Sequence, residues 1–202
     1  MTDLFKEKAR DWDVNELVKE LSCAIGAAIN ANVALDESMH VMDFGAGTGL
    51  ITAQVADRVG KVTAVDVSEA MLEKLAEKQG LGNKVEILCR DILENPVDNQ
   101  FDLIVSAMAM HHVEDTGKLL QRFAEHLKPG ARVALADLDE EDGTFHPPEA
   151  QGVFHTGFNR EAFRGLLEKH GFTDVDFVTA HTVSKEGKRY SIFLALASLP
   201  VR

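Results

Sequence analysis

Seven residues, Asp43-Phe44-Gly45-Ala46-Gly47-Thr48-Gly49, constrain this chain more than any others. They follow a short apolar run and precede a helical one, so the backbone must end a strand, turn sharply and enter a helix within them. Gly45, Gly47 and Gly49 lack Cβ atoms and so supply the needed backbone freedom. A helix starting near Leu50 leaves unpaired N–H groups facing whatever lies above the turn. Dinucleotide-binding folds use a closely related turn, so the glycines alone do not choose a ligand.

The rest of the chain extends this strand-to-helix unit. Strands are predicted over 40–44, 61–65, 84–89, 101–106 and 132–138, and helices over 50–59, 68–79 and 116–127. Apolar runs alternating with helices mark a parallel sheet covered on both faces. Ser68 is a suitable N-cap for its helix, and Lys128-Pro129-Gly130 stops the helix before it. Pro96 and the short spacing leave no room for a full helix between Cys89 and Phe101. Ahead of the sheet, Leu17, Val18, Leu21, Ile25, Ala28 and Ile29 recur at helical spacing over 14–32, a stripe that packs on a sheet. The rhythm breaks over 139–158, a polar stretch, before a last helix over 159–170. Segments 175–183 and 189–197 are rich in β-formers and are expected to pair antiparallel across a five-residue loop, 184–188.

Three carboxylates stand where such a sheet binds ligands. Asp43, two residues before the first glycine, lies beneath the loop and favours an ammonium or other cationic group over a pyrophosphate. A sulfonium amino acid meets that requirement. Asp66 directly follows the second strand and projects from the carboxyl end of the sheet, where ribose hydroxyls are natural partners; capping of the next helix is the alternative. Asp91 follows the third strand and is placed to accept from an adenine amino group, with Ile92 packing on the ring, although aspartates also end strands for turn chemistry.

The series Val41 to Gly49, Val65-Asp66-Val67-Ser68-Glu69-Ala70-Met71, Arg90-Asp91-Ile92, Phe101 to Ser106 and Leu127-Lys128-Pro129-Gly130 resembles the successive motifs of the class I S-adenosylmethionine-dependent methyltransferases of small-molecule type. The resemblance covers about 36–197. It implies an α/β, Rossmann-like fold with a seven-stranded, mostly parallel sheet whose last strand runs antiparallel. It implies that Asp66 holds the ribose and that Asp91 and Ile92 address the adenine, with Val67 and Met71 alongside. Asp43, Gly45, Ala46 and Gly47 would line the methionine moiety, edged by Ser106, Ala107 and Met108, with His111 near the reaction centre. Residues 1–35 then form a helical cap in which Trp12 covers the site or docks, with Phe5, on the body, and 36–202 form the cofactor-binding domain.

Methyl transfer to oxygen or to some nitrogen acceptors uses a base, and histidine exchanges protons near neutrality. His111, His112, His146 and His155 are the candidates, with His111 and His155 preferred as catalytic residues. Each has the alternative of a purely structural hydrogen bond. Asp137, Asp139, Glu140, Glu141 and Asp142 are too crowded for an ordered metal-ligand set and read as a solvated loop. No metal is therefore expected, and residues from Asp137 to Phe158 are expected to wall the acceptor.

Composition narrows the partner. A formal charge of -12 gives no electrostatic reason to bind nucleic acid or an anionic membrane, which favours a small-molecule or protein substrate. Cys23 and Cys89 fit no metal spacing or disulfide framework, Cys89 being expected in a buried strand. No apolar run is long enough to span a bilayer, and the cytoplasm is the expected location. Tyr190 lacks a lysine four residues on, no Gly-Lys-Ser or Gly-Lys-Thr follows a glycine stretch, and no Asn/Asp-Pro-Pro-aromatic sequence follows the fourth strand. Two other readings stay open: a nicotinamide-dependent oxidoreductase, which also uses an acidic residue after its second strand, and a non-catalytic binding module.

Overall fold

The computed structural model describes residues 3–201. Two short segments, α1 (Lys6–Ala9) and a single 3-10 turn (Trp12–Val14), lead into α2 (Glu16–Asn32), whose N-cap Asn15 accepts from Leu17 and Val18 N–H. The sheet is then laid down as β1 (His40–Phe44), α3 (Leu50–Ala56), β2 (Lys61–Asp66), α4 (Glu69–Ala76), β3 (Val85–Cys89) and β4 (Phe101–Ala107). α5 (Thr116–His126), β5 (Leu127–Leu138), α6 (Arg160–Lys169), β6 (Thr173–Lys185) and β7 (Lys188–Ser198) complete it. Ser68 caps α4 as expected, its hydroxyl accepting from Met71 N–H.

The seven strands lie in the order β3-β2-β1-β4-β5-β7-β6. The first five are parallel, and β7 runs antiparallel to both β5 and β6. The strand order reverses between β1 and β4, so the carboxyl ends of these strands open a crevice, the usual ligand position in an open α/β sheet. One face of the sheet is covered by α2 and α3 through Leu21, Ile25, Ile51 and Val55. The other is covered by α5 and α6 through Leu119, Phe123, Phe163 and Leu167. Burial on both faces is the reason the central strands read as continuous apolar runs.

Three expectations need correction. The five-residue loop is a two-residue turn, Glu186-Gly187, with φ of +51° and +79°; a pair of positive φ angles matches the twist of the flanking strands and lets both run on to the turn. β5 begins at Leu127, pairs with Phe101, shifts register across Lys128-Pro129-Gly130 and resumes at Arg132. Cys89 is exposed, because β3 is an edge strand and only its inner neighbours are covered on both sides. The Cys89–Phe101 crossover carries no helix, as its length requires.

Candidate functional site

The turn after β1 opens on a cavity of about 500 Å³, within the range of roughly 300–1,000 Å³ typical of ligand sites. Gly45 adopts φ +68°, and a Cβ there would stand 2.3 Å from that of Ala109, so this position tolerates no side chain. Gly47, at φ +53°, faces open space. It donates its N–H to Asp66 Oδ2 at 2.8 Å, while Asp66 Oδ1 accepts from Ser68 N–H at 2.8 Å. One carboxylate thus ties the glycine turn to the start of α4. Burial raises the Asp66 pKa against the pull of these N–H groups.

Asp43 is buried and accepts from Thr52 Oγ1 at 2.5 Å. Burial pushes its carboxyl up to about 7, the Thr52 hydroxyl opposing and the Asp66 charge adding to the rise. The folded state therefore binds this proton more tightly than the unfolded chain. Its stabilising contribution is complete below about pH 4 and is lost as pH rises to about 7. Asp43→Asn is expected to match the unmodified protein at pH 4 and to exceed it at pH 8 by on the order of 1–4 kcal/mol. Denaturant titrations at the two pH values measure the difference, and equal stability at pH 8 contradicts it.

The chain then reaches His111. Met108, after β4, takes φ +55° while its N–H donates to Ala136 O at 2.9 Å. A non-glycine residue in that region carries strain of roughly 1–2 kcal/mol, and such outliers cluster at functional sites. The following 3-10 turn, Met110–His112, delivers His111 onto the end of β5. His111 Nδ1 lies 2.7 Å from Asp137 Oδ1, the His111 backbone N–H is 3.1 Å from Oδ2, and Leu138 N–H is 2.8 Å from Oδ1. Both side chains are essentially inaccessible, at 1% and 0% exposure. On its far side His111 Nε2 lies 3.1 Å from His146 Nε2.

Asp137 is thus no part of a solvated loop. It is the penultimate residue of β5, and the Asp139–Asp142 residues beyond it are the ones that reach solvent or pair with Arg160 and Lys188. His112 gives Nδ1 to the Gly152 carbonyl at 2.7 Å. Burial and the nearby His111 hold both His112 and His146 down at about 4, so both are neutral at neutral pH. His155 stands apart from the cavity, its Nε2 2.9 Å from the Val113 carbonyl and 3.2 Å from Thr116 Oγ1. A nitrogen facing a carbonyl donates, which leaves no lone pair there to accept a proton. No group of three or more His, Cys, Asp or Glu side chains among the described residues is placed to hold a metal ion.

Of the residues singled out in the sequence, Asp43, Gly45, Ala46, Gly47, Asp66, Val67, Met71, Asp91, Ala107, Met108 and His111 line the cavity together. Ile92 and Ser106 are buried outside its lining, Ser106 Oγ without a hydrogen-bond partner. Leu93 takes the wall position beside Asp91, which accepts from Leu93 N–H at 2.9 Å. The stripe Leu17, Leu21, Ile25 also faces the cavity. That second use of α2 was invisible in its spacing, because core packing and cavity lining demand the same apolar stripe. Phe5 and Trp12 also line it, their rings edge to face at 6.1 Å. Their segment is pinned by Asp13 to Thr48 and Lys78, and by Asp3 to the Ser68 hydroxyl.

Charge decides what the cavity accepts. Asp43, Asp66, Asp91 and Glu114 line it beside His111, His112 and His146, and Arg90 is the one lysine or arginine in the lining among the described residues. A cationic ligand with hydroxyl and amino groups fits this set, and a pyrophosphate does not.

Comparison with known proteins agrees. A family model described as a methyltransferase domain matches residues 41–130. An uncharacterized methyltransferase of Schizosaccharomyces pombe is 28% identical over 157 residues, 69% of this chain and 55% of the relative. One from Mycobacterium bovis is 36% identical over 137 residues, 62% of this chain and 66% of that protein. The chain therefore spans little more than half the length of the first of these relatives. The crystal structure of a SAM dependent methyltransferase from Aquifex aeolicus is similar with a TM-score of 0.72 and 26% identity, covering 98% of this chain and 100% of that one.

Proposed function

We propose that this chain is a class I S-adenosylmethionine-dependent methyltransferase, a reading supported by its match to a methyltransferase domain and its likeness to a SAM dependent methyltransferase, and that the acceptor it methylates is a small molecule bound beside His111 in the cavity. The observation that carries this reading is the continuity of one cavity from Asp66 and Asp91, past the glycine turn, to His111 and His146. When bound, S-adenosylmethionine supplies a methyl group on a sulfonium, which transfers to a nucleophile approaching in line. The chain's own part is to orient, to desolvate and to take a proton.

Asp66 is positioned for the ribose hydroxyls, Asp91 for the adenine amino group, and Val67, Leu93 and Met71 for the adenine faces. Asp43, Gly45, Ala46 and Gly47 would receive the methionine end, with Ala107 and Met108 along its side. Residues 1–35 serve in this reading as a cap: Phe5 and Trp12 over the cavity exclude water from the reacting groups. No helix among the described residues is long and apolar enough to cross a membrane, and no part of the reading calls for one.

Calorimetric titration with S-adenosylhomocysteine and NAD tests the cofactor half. Micromolar binding of the first and none of the second is expected, the reverse pattern supporting an oxidoreductase. Asp66→Ala removes a charged acceptor and is expected to weaken S-adenosylhomocysteine binding by roughly 10–100-fold, the worth of about 1.5–3 kcal/mol for hydrogen bonds to a charged group. Undiminished affinity in that variant removes Asp66 from the site.

A further inference from the structure

We propose that Asp137, His111 and His146 form a proton relay, in which a proton given up in the cavity enters at His146 Nδ1 and its charge comes to rest on His111, beside Asp137. The proposal rests on the reading above in taking the cavity as the place where an acceptor is methylated, and it makes His146, in place of His111, the outlet to that cavity.

His111 Nε2 and His146 Nε2 stand 3.1 Å apart, a hydrogen-bond distance that holds one hydrogen between them, neither two nor none. Whichever ring owns that hydrogen, the other must present a lone pair. Asp137 takes the His111 backbone N–H, the Leu138 N–H and His111 Nδ1. A carboxylate only accepts, so His111 keeps a hydrogen on Nδ1 in either charge state. A neutral His111 therefore offers a lone pair at Nε2, the shared hydrogen belongs to His146 Nε2, and His146 Nδ1 is bare. When His111 is an imidazolium the shared hydrogen belongs to His111 Nε2, and a neutral His146 carries its own hydrogen on Nδ1. The charge of one ring and the tautomer of the other are locked together.

His146 Nδ1 is the open end of this chain. Among the described residues, the side-chain nitrogens and oxygens buried without a partner are Ser106 Oγ and Arg122 Nε. His146 Nδ1 makes no hydrogen bond with a described residue either, so it is not sealed in protein, and its residue lines the cavity. His112 stands beside the chain, 4.1 Å from His111 and 5.8 Å from His146 between ring centroids, but its Nδ1 hydrogen is spent on the Gly152 carbonyl. Surrounding charges send the proton inward. Lys185, bound to the Phe145 carbonyl next to His146, and Lys8, over the Phe5 ring that meets His112, oppose a charge on those two rings. Asp137 favours one on His111.

In the transfer, the nucleophilic atom of the acceptor loses its hydrogen to His146 Nδ1 and keeps the electron pair. That pair forms the bond to the methyl carbon as the methyl–sulfur bond breaks toward sulfur. The His146 Nε2–H bond opens while the His111 Nε2–H bond forms, so His146 ends neutral and the imidazolium lies against a buried carboxylate, one ring farther from the acceptor. Release of the Nδ1 hydrogen of His146 to solvent, with return of the shared hydrogen to His146 Nε2, resets the chain.

Nitrogen NMR of the histidine rings in the protein without ligand reads the lock directly. In alkaline solution the hydrogens are expected on Nδ1 of His111 and Nε2 of His146. As the pH falls, His111 gains its second hydrogen and the His146 hydrogen moves from Nε2 to Nδ1, both changes sharing one midpoint because they are one step of a coupled pair. Asp137→Asn is expected to show in alkaline solution the His146 tautomer that the parent shows only on acidification; the parent titration stands by itself where that variant does not fold. His146→Gln keeps an N–H for His111 Nε2 but has no ring to pass a proton, and is expected to lower the single-turnover rate by about 10²–10⁴-fold on any acceptor that the parent turns over. Separate midpoints, a His146 hydrogen that stays on Nε2 after His111 is charged, or the parent rate in His146→Gln overturns the relay. Failure to bind S-adenosylhomocysteine counts instead against the methyltransferase reading, which the histidine titration does not touch.

Discussion

Replacing His111 with glutamine lowers kcat by about 10²–10⁴-fold, the usual worth of a positioned base, on any hydroxyl acceptor that the unmodified enzyme turns over. Affinity for S-adenosylhomocysteine stays close to its original value, because the carboxylates assigned to ribose and adenine lie on the other side of β1. Glutamine approximates the ring's reach and can still donate to Asp137, so the variant separates loss of proton transfer from loss of fold. Single-turnover measurements with saturating cofactor give the chemical step directly. An unchanged rate would mean that the acceptor arrives already deprotonated or needs no base, and His111 would then only shape the wall.

Asp137→Asn carries the second large effect, through a different cause. The carboxylate accepts three N–H groups in an environment with no solvent exposure. An amide in its place has one accepting oxygen, and its NH₂ faces a donor. His111 responds by presenting a bare Nδ1 to that NH₂, which moves the ring hydrogen to Nε2 and removes the lone pair aimed at His146. A kcat decrease of about 10²–10⁴-fold is expected, together with a stability loss of roughly 1–3 kcal/mol for the mismatched buried donor. Asp137 acts through His111, so a rate loss alone does not identify its role. The diagnostic readout is the His111 tautomer, reversed in the variant. Retention of the parent tautomer would reduce Asp137 to a structural tie.

The sheet was legible because parallel strands covered on both faces leave runs such as Val41-Met42 and Leu103-Ile104-Val105 that nothing else explains as well. The same logic misled at the margins. Val85 to Cys89 is apolar enough to read as buried, yet an edge position leaves Cys89 exposed. Ser184, Lys185 and Lys188 look like loop residues by composition, yet they continue the hairpin because Glu186 and Gly187 absorb the turn between them. In the site, the residues legible from sequence are those tied to a strand end by one or two positions, Asp43, Asp66 and Asp91. The His111–Asp137 pair joins residues 26 apart, and pairing across β4 and β5 leaves no local pattern. Asp137 was further masked by the solvent-facing acids that follow it, and only the end of β5 distinguishes it from them.

The insertion of β7 between β5 and β6 also fixes the order in which the two halves of the site can come into being. Everything assigned to the cofactor lies on β1 to β4, on the segments between them and on Met108 just after, all made by residue 109. Asp137, by contrast, sits on a strand whose outer flank is closed by pairing with Phe193, and Asp139 hangs from the Ser191 carbonyl. During synthesis, which proceeds from the N-terminus at roughly 5–20 residues per second, the residues assigned to the donor are therefore made several seconds before those that brace the base.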